Sequence, residues 1–271
     1  MKVKKQFFGF LLGLVVFVIV GSGCNNHRKV LKSDDPEFKY EKAVEYYEKG
    51  DYFRAIQLFS ELQTYFRGTQ RAEEIYYYYA YAHYGQGNYI LASYFFQNFT
   101  RTFPRSRFAE ETMFMAAYCQ YLEAPKYSLD QTNTRNAING MQAFINKHPE
   151  SERVAQANEL IDKLRAKLQR KSFENARLYL TLQHFPAAIS AFQTHLFDYP
   201  DSEFKEQIFF LTFKAHYLFA SKSVEARQKE RFSQALDAYN IFAVNYPESI
   251  YMREAQTYYN ATKNALESFK N

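Results

Sequence analysis

A short frame of proline, any residue and serine recurs through this chain and constrains its fold more than any other feature. Four of the seven prolines stand in this frame, within the stretches FPRS, HPES, YPDS and YPES that begin at Phe103, His148, Tyr199 and Tyr246. A helix stops before proline, which cannot donate a backbone hydrogen bond, and serine is favoured at the start of a helix. The frame therefore predicts a regular series of helix ends and helix starts.

The residues before each frame also repeat. An alanine stands 12 residues before every one of these prolines, and in three of the four units aromatic residues stand 15 and 8 residues before it. The alanines are Ala92, Ala137, Ala188 and Ala235. An earlier unit keeps the spacing with Tyr52, Ala55 and Phe59, but has Arg67 and Thr69 in place of proline and serine. A small residue lets two helices approach closely, so each unit is predicted to be a pair of packed helices.

This pattern resembles tetratricopeptide repeats, which are two-helix units of 34 residues with a late proline. The five units end 37, 45, 51 and 47 residues apart, so insertions are expected at residues 123–134, 153–170 and 221–231. Residues 250–270 are predicted to form the closing helix that repeat arrays need. The predicted fold is an all-α solenoid of five two-helix repeats with a C-terminal capping helix.

The N-terminus resembles a bacterial lipoprotein signal. Three lysines precede an apolar run from Phe7 to Val20, and small residues lead to Cys24. The run of 14 residues is short for a membrane-spanning helix. We expect residues 1–23 to be removed, Cys24 to carry a covalent lipid, and residues 24–36 to form a linker. An ordinary signal peptide and an uncleaved anchor are the alternatives, and Gly21 stands where such signals usually have leucine.

Composition and motifs favour a binding protein over an enzyme. Beyond residue 23 the net charge is only +2 and the cations are interspersed with acids, so no nucleic-acid partner is expected. The sequence has no metal-binding, phosphate-binding or nucleophile motif, and no metal or cofactor is expected apart from the lipid on Cys24. Cys119 lies in an apolar helical stretch and is predicted to be a buried small hydrophobe rather than a reactive thiol.

A row of tyrosines is the candidate binding surface. In tetratricopeptide arrays the first helices of successive repeats line a groove, and residues at i, i+4 and i+7 share one helix face. The predicted groove residues are Tyr40, Tyr47, Tyr77, Tyr81, Tyr84, Phe114, Tyr118 and Tyr121. Tyrosine offers apolar area and a hydroxyl at low entropic cost, which suits recognition of extended peptides. The alternative is that these rings only cover helix faces in an aromatic-rich protein.

A lipoprotein signal followed by five such repeats resembles the D-subunit family of the bacterial outer-membrane β-barrel assembly machine. The most specific stretches begin at Tyr127 with YSLDQTNTRNAINGMQAFINKHPES and at Lys222 with KSVEARQKERFSQALDAYNIFAVNYPES. The first repeat departs most, at Arg67. The resemblance implies a lipid-anchored outer-membrane protein that faces the periplasm and assists β-barrel insertion.

The resemblance also implies a division of labour and two classes of partner. Residues 37–151 would bind unfolded outer-membrane proteins, and residues 152–271 would bind the periplasmic domain of the barrel-forming subunit. Arg227 and Arg231, in the insertion at 221–231, are the candidate contacts with that subunit, unless the insertion is only a solvated helix extension.

Two other classes of envelope protein are the alternatives. A tetratricopeptide coordinator of cell-wall synthesis would usually carry a coiled-coil segment, and this chain has no sustained heptads. A glycan-uptake lipoprotein would use tryptophan platforms, and this chain has no tryptophan.

Overall fold

The computed structural model describes residues 27–269 of the chain as almost entirely helical. The signal and Cys24 lie outside the described residues. After a short helical turn at residues 27–31 come α1 Pro36–Glu48, α2 Tyr52–Tyr65, α3 Arg71–Gly85, α4 Tyr89–Thr102, α5 Ala109–Leu122, α6 Thr132–Lys147, α7 Val154–Thr181, α8 Phe185–Asp198, α9 Lys205–Ser221, α10 Glu225–Asn245 and α11 Met252–Ser268. No helix in the described part of the chain is both long and apolar enough to cross a membrane.

The helices alternate as the repeat pattern predicts. Five successive pairs, from α1–α2 to α9–α10, correspond to the five repeats, and α11 packs on both α9 and α10 as the closing helix. The all-α repeat fold is therefore confirmed.

Each repeat places its alanine where two helices meet. Ala55, Ala92, Ala137, Ala188 and Ala235 all have no exposed surface. Four residues later along each second helix a large side chain is also fully buried in the first four repeats, at Phe59, Phe96, Met141 and Phe192. Interior packing leaves no space for extra methylenes, so the spacing of alanine and large residue is a packing requirement.

The Pro-x-Ser frames end one repeat and begin the next. The serine hydroxyl accepts a hydrogen bond from the backbone N–H two residues later at 3.1–3.2 Å in all four frames, which contain Ser106, Ser151, Ser202 and Ser249. The following helix begins three residues after each serine. The sequence predicts that this serine caps the next helix directly. The structure shows instead that it caps the turn that leads into the helix.

The first repeat builds the same turn without proline or serine. The Thr69 backbone N–H donates to the Phe66 carbonyl at 3.0 Å, and the Ala72 N–H donates to the Thr69 carbonyl at 3.2 Å, as in the other four turns. The Thr69 hydroxyl also donates to the Phe66 carbonyl, at 2.8 Å. Gly68 has a φ of +81°, a conformation that glycine adopts without strain. Glycine and threonine therefore replace the usual frame in this turn.

The described chain divides into two compact units. The first contains residues 27–125 and 131–164, and the second contains residues 126–130 and 165–269. The 28-residue helix α7 contributes its N-terminal part to the first unit and the rest to the second. In the first unit Ala157, Leu160 and Ile161 of α7 join a core with Met141 and Phe144. In the second unit, other α7 residues pack with α8 and α9; the core of that unit includes Phe173, Ala176, Ala188, Phe192 and Ile208.

The insertions mostly lengthen helices. Residues 153–170 lie almost wholly within α7, which continues into the first helix of repeat four. Residues 225–231 form the start of α10, so only three residues separate it from α9. The stretch after α5 is the exception, because it has no helix before Thr132. Within the second unit, Lys171 Nζ donates to the Leu129 carbonyl of this stretch at 2.5 Å.

Candidate functional site

A shared carboxylate joins the first helices of repeats two and three. Glu111 on α5 accepts hydrogen bonds from the hydroxyl of Tyr81 at 2.7 Å and from that of Tyr77 at 3.1 Å, both on α3. Arg153, directly before α7, donates to the same carboxylate at 3.4 Å. Two phenols and one guanidinium therefore satisfy one acidic side chain and hold the two rings in fixed positions.

The same bond occurs one repeat earlier. The Tyr40 hydroxyl on α1 donates to Glu74 on α3 at 2.9 Å, and these partners are 34 residues apart, as Tyr77 and Glu111 are. The Arg71 guanidinium lies over the Tyr40 ring, 4.5 Å from its centre. Tyrosine–carboxylate bonds thus connect α1 to α3 and α3 to α5 with the period of the repeat.

In repeat three a ring without a hydroxyl takes the equivalent position. The Arg153 guanidinium lies 5.1 Å from the centre of the Phe114 ring. Phe114 stacks on Tyr118 at 5.9 Å, and Tyr118 stacks on Tyr121 at 5.8 Å. The aromatic residues of α5 therefore form one continuous row of stacked rings along the helix.

Burial keeps the tyrosine hydroxyls protonated. It raises the pKa of Tyr40 and of Tyr47 to about 12. Burial is also the largest cause of the raised pKa values of Tyr77 and Tyr81, and the negative charge and hydrogen bonds of Glu111 raise them further. Near neutral pH these groups are therefore hydrogen-bond donors that retain their protons.

Six of the eight predicted groove residues keep part of their rings exposed and form what we call the tyrosine surface. They are Tyr47, Tyr77, Tyr81, Tyr84, Tyr118 and Tyr121. The Tyr84 ring lies 6.2 Å from the Tyr81 ring, and Tyr118 is close enough to raise the pKa of Tyr84 after the larger effect of burial. Tyr47 likewise contributes a small increase to the pKa of Tyr77. The structure therefore brings residues of α1, α3 and α5 together on one surface.

The prediction is wrong for the exposure of the other two groove residues. Phe114 is only 2% exposed and Tyr40 is 9% exposed, so neither can offer its ring face to a ligand. Both belong to hydrophobic cores, where they pack behind the surface. The physical reason is that an arginine of the next repeat lies over each of these two rings, Arg71 over Tyr40 and Arg153 over Phe114.

The charged members of this network were not predicted from the sequence. Glu74 and Glu111 accept the tyrosine hydrogen bonds, while Arg71 and Arg153 approach from the following repeat. A signal was present, because Glu37, Glu74 and Glu111 each stand three residues before the first predicted groove residue of their repeat. Residues at i and i+3 lie on the same side of a helix, so these acids adjoin the rings.

Arg227 and Arg231 lie in the second unit and differ in their surroundings. Arg227 pairs with Glu230 at 3.1 Å, one turn along α10, and 63% of its side chain is exposed. Arg231 lies over the Phe219 ring, 3.8 Å from its centre, and donates to the Ser223 hydroxyl. Arg227 is thus available to a partner, whereas Arg231 joins the α9–α10 turn to α10.

The remaining cysteine lies within the protein core, as predicted. Cys119 is fully buried and burial raises the pKa of its thiol to about 12, which disfavours the reactive thiolate. No cluster of three or more potential metal ligands occurs between residues 27 and 269. The tyrosine surface itself presents apolar ring faces, hydroxyl donors and one shared carboxylate.

Comparison with known protein families finds one family whose sequence model matches most of this chain. Residues 32–231 match the sequence model of a family described as YfiO, outer membrane lipoprotein. Comparison with curated proteins found no match. A solved structure described as the TPR2AB-domain:pHSP90-complex of yeast Sti1 is similar, with 13% identity and a TM-score of 0.39, over 84% of this chain and 98% of that chain.

Proposed function

The chain belongs to the YfiO family of outer membrane lipoproteins, and from this premise we propose that it is a non-catalytic assembly factor for outer-membrane β-barrel proteins. It is anchored by a lipid on Cys24 and faces the periplasm. It binds the periplasmic domain of the barrel-forming subunit and unfolded outer-membrane proteins, and brings the two together. The family match covers most of the array, including all of repeats one to four.

The observation that carries the proposal is the tyrosine surface on α1, α3 and α5. Its rings are half buried, and Glu111 holds Tyr77 and Tyr81 by hydrogen bonds. Rigid, amphipathic aromatic groups bind with little loss of conformational entropy. Strands destined for a β-barrel alternate apolar and polar residues and carry aromatic girdles. Their side chains therefore suit a surface of ring faces bordered by hydroxyl and carboxylate groups.

The second unit is proposed to bind the barrel-forming subunit. Arg227 supports this proposal because it projects a largely exposed charge from the start of α10, where its ion-pair partner among the described residues is Glu230 of the same helix. An exposed pair of this kind contributes little to folding, so the arginine can exchange its partner at small cost. An acidic group on the partner's periplasmic domain would be its counterpart.

Copurification tests the proposed function. The lipidated chain, tagged at its C-terminus, would be extracted from outer membranes with a mild detergent and its partners identified by mass spectrometry. We expect the barrel-forming subunit to be recovered in a stoichiometric complex. A chain recovered instead with cell-wall synthases, or with a glycan transporter, would contradict the proposed function and support one of the other two envelope roles.

A further inference from the structure

A short segment ahead of the first repeat is packed firmly against it. His27 Nε2 lies 2.8 Å from the Gln57 side-chain oxygen on α2, and the His27 ring meets the Tyr46 ring edge to face at 5.3 Å. Val30 is only 5% exposed and joins the core of repeat one with Leu58. The chain therefore enters the fold at a defined place, beside the second turn of α2.

Few residues separate this place from the proposed lipid anchor. Cys24 and His27 are three residues apart in the sequence. A fully extended chain spans at most about 3.6 Å per residue, so their Cα atoms are within about 11 Å of one another. If Cys24 carries the lipid, as the proposed function requires, the surface around His27 must stay close to the bilayer.

The side chains around that place are suited to a membrane surface. Phe53 stands one helical turn before Gln57 on α2 and its side chain is 65% exposed. In the helical turn at residues 27–31, Val30 faces inward, so Arg28 lies on the opposite, outward side. Arg28, Lys29 and Lys32 are exposed, and none of them forms an ion pair with another described residue.

We propose that the anchor-side surface, formed by Arg28, Lys29, Lys32 and Phe53, binds the phospholipid surface of the membrane. This inference rests on lipidation of Cys24, and adds a second, non-covalent contact to it. Aromatic side chains favour the interface between water and hydrocarbon, and cations favour anionic headgroups. One acyl chain alone gives only marginal binding, and a polybasic patch is a recognised second signal. The contact would hold repeat one against the membrane rather than on a free tether.

Depth-dependent quenching tests this proposal on the lipidated, full-length mature chain. Phe53→Cys would be labelled with a fluorophore, since Cys119 is buried, and the protein would be reconstituted into vesicles of phosphatidylethanolamine and phosphatidylglycerol with nitroxide-labelled lipid. We expect strong quenching at position 53. Charge reversal by Arg28→Glu and Lys32→Glu should reduce it, and should weaken vesicle binding of the unlipidated chain by at least about fivefold for each cation lost.

A matched pair of changes provides the control. Arg101→Glu and Lys147→Glu remove two exposed cations from other helices of the same unit, and should leave the quenching unchanged. Quenching that persists after reversal of Arg28 and Lys32 would show proximity through the tether alone, and would overturn the proposal. Absence of quenching in protein whose lipid is verified by mass spectrometry would also overturn it.

Failure of the anchor would be recognised separately. A mature chain without lipid on Cys24 would remove the premise shared with the proposed function, and the anchor-side proposal would fall with it. If the lipid is present and the barrel-forming subunit copurifies, but position 53 remains unquenched, only the membrane contact is wrong. Mass spectrometry and quenching on the same preparation therefore distinguish the two failures.

Discussion

His195 Nε2 lies 2.8 Å from the Ser202 hydroxyl, so a buried imidazole in α8 is bonded to the serine of the frame that follows it. The same hydroxyl accepts a hydrogen bond from the backbone N–H of Phe204 at 3.2 Å. His195 has no exposed surface, and its other nitrogen has no hydrogen-bond partner among the described residues. Burial disfavours the charged form of this imidazole, which joins the end of repeat four to the start of repeat five.

Acid should destabilise the protein through His195. Burial lowers its pKa from 6.5, although the charge of Asp198 partly opposes the shift. A depressed folded-state pKa contributes stability that is present above pH 6.5 and is lost as pH falls through the folded value. Urea unfolding on both sides of pH 6.5 should show this loss, and His195→Gln should reduce it. His184→Gln, at an exposed position, is the control; equal pH dependence in wild type and His195→Gln would contradict the assignment.

Ala188→Leu should destabilise repeat four. Ala188 has no exposed surface and lies in the core formed with Phe173, Phe192 and Ile208. Added methylenes overpack such a site and cost roughly 1–3 kcal/mol. Ala187→Leu places the same side chain at the neighbouring exposed position and should change stability by less than about 0.5 kcal/mol. Chemical denaturation measures both, and equal stabilities would show that the repeat phase is wrong.

Cys24→Ser should release the protein from the outer membrane. The change removes the thiol that would be acylated, and each buried methylene of a fatty chain contributes about 0.8 kcal/mol to membrane binding. Fractionation after a salt wash measures the outcome, with Cys119→Ala as a control that keeps the anchor. A serine variant that still pellets with outer membranes would mean that lipid is not the main attachment.

Arg227→Glu should weaken the complex with the barrel-forming subunit without unfolding the array. An exposed charge pair contributes up to about 1 kcal/mol, so reversal should reduce affinity roughly threefold to tenfold at low salt. Arg231→Glu is a poorer test, because Arg231 also lies over the Phe219 ring. Lys229→Glu makes the same charge change at an exposed neighbour. The affinity of both variants for the barrel-forming subunit would be measured over a range of salt concentrations. If Arg227→Glu and Lys229→Glu change the affinity equally, Arg227 makes no specific contact and the insertion is only a solvated helix extension.

The helix pairs could be predicted from the sequence because the residues that end each helix and let two helices pack recur at a fixed local spacing. Ala188 and Pro200 belong to a spacing that repeats along the chain, and proline and small-residue effects act within one or two turns. The link between Tyr81 and Glu111 could not be predicted in this way, since it depends on the rotation of α3 relative to α5. Phe114 shows the same limit: helix spacing places it on the same face as Tyr118, but only packing decides which ring the next repeat covers.

The proposed function requires the tyrosine surface to bind an extended client segment, so loss of a hydroxyl and a ring from this surface should weaken that binding. The variant Tyr81→Phe, Tyr84→Ala removes one hydroxyl and one half-exposed ring, and keeps the Tyr81 ring packed on Phe96 at 4.9 Å. Tyr94→Ala removes a ring that is 56% exposed on α4 and is the control.

Both proteins would be measured for affinity to a peptide copied from the last strand of a client and for melting temperature. Truncating a binding hot spot costs about 2 kcal/mol, so we predict about thirtyfold weaker binding by the double variant at a nearly unchanged melting temperature. Tyr94→Ala should bind as wild type does. A double variant with a lowered melting temperature, but with unchanged affinity per folded molecule, would contradict client binding by the tyrosine surface and assign these rings to packing alone.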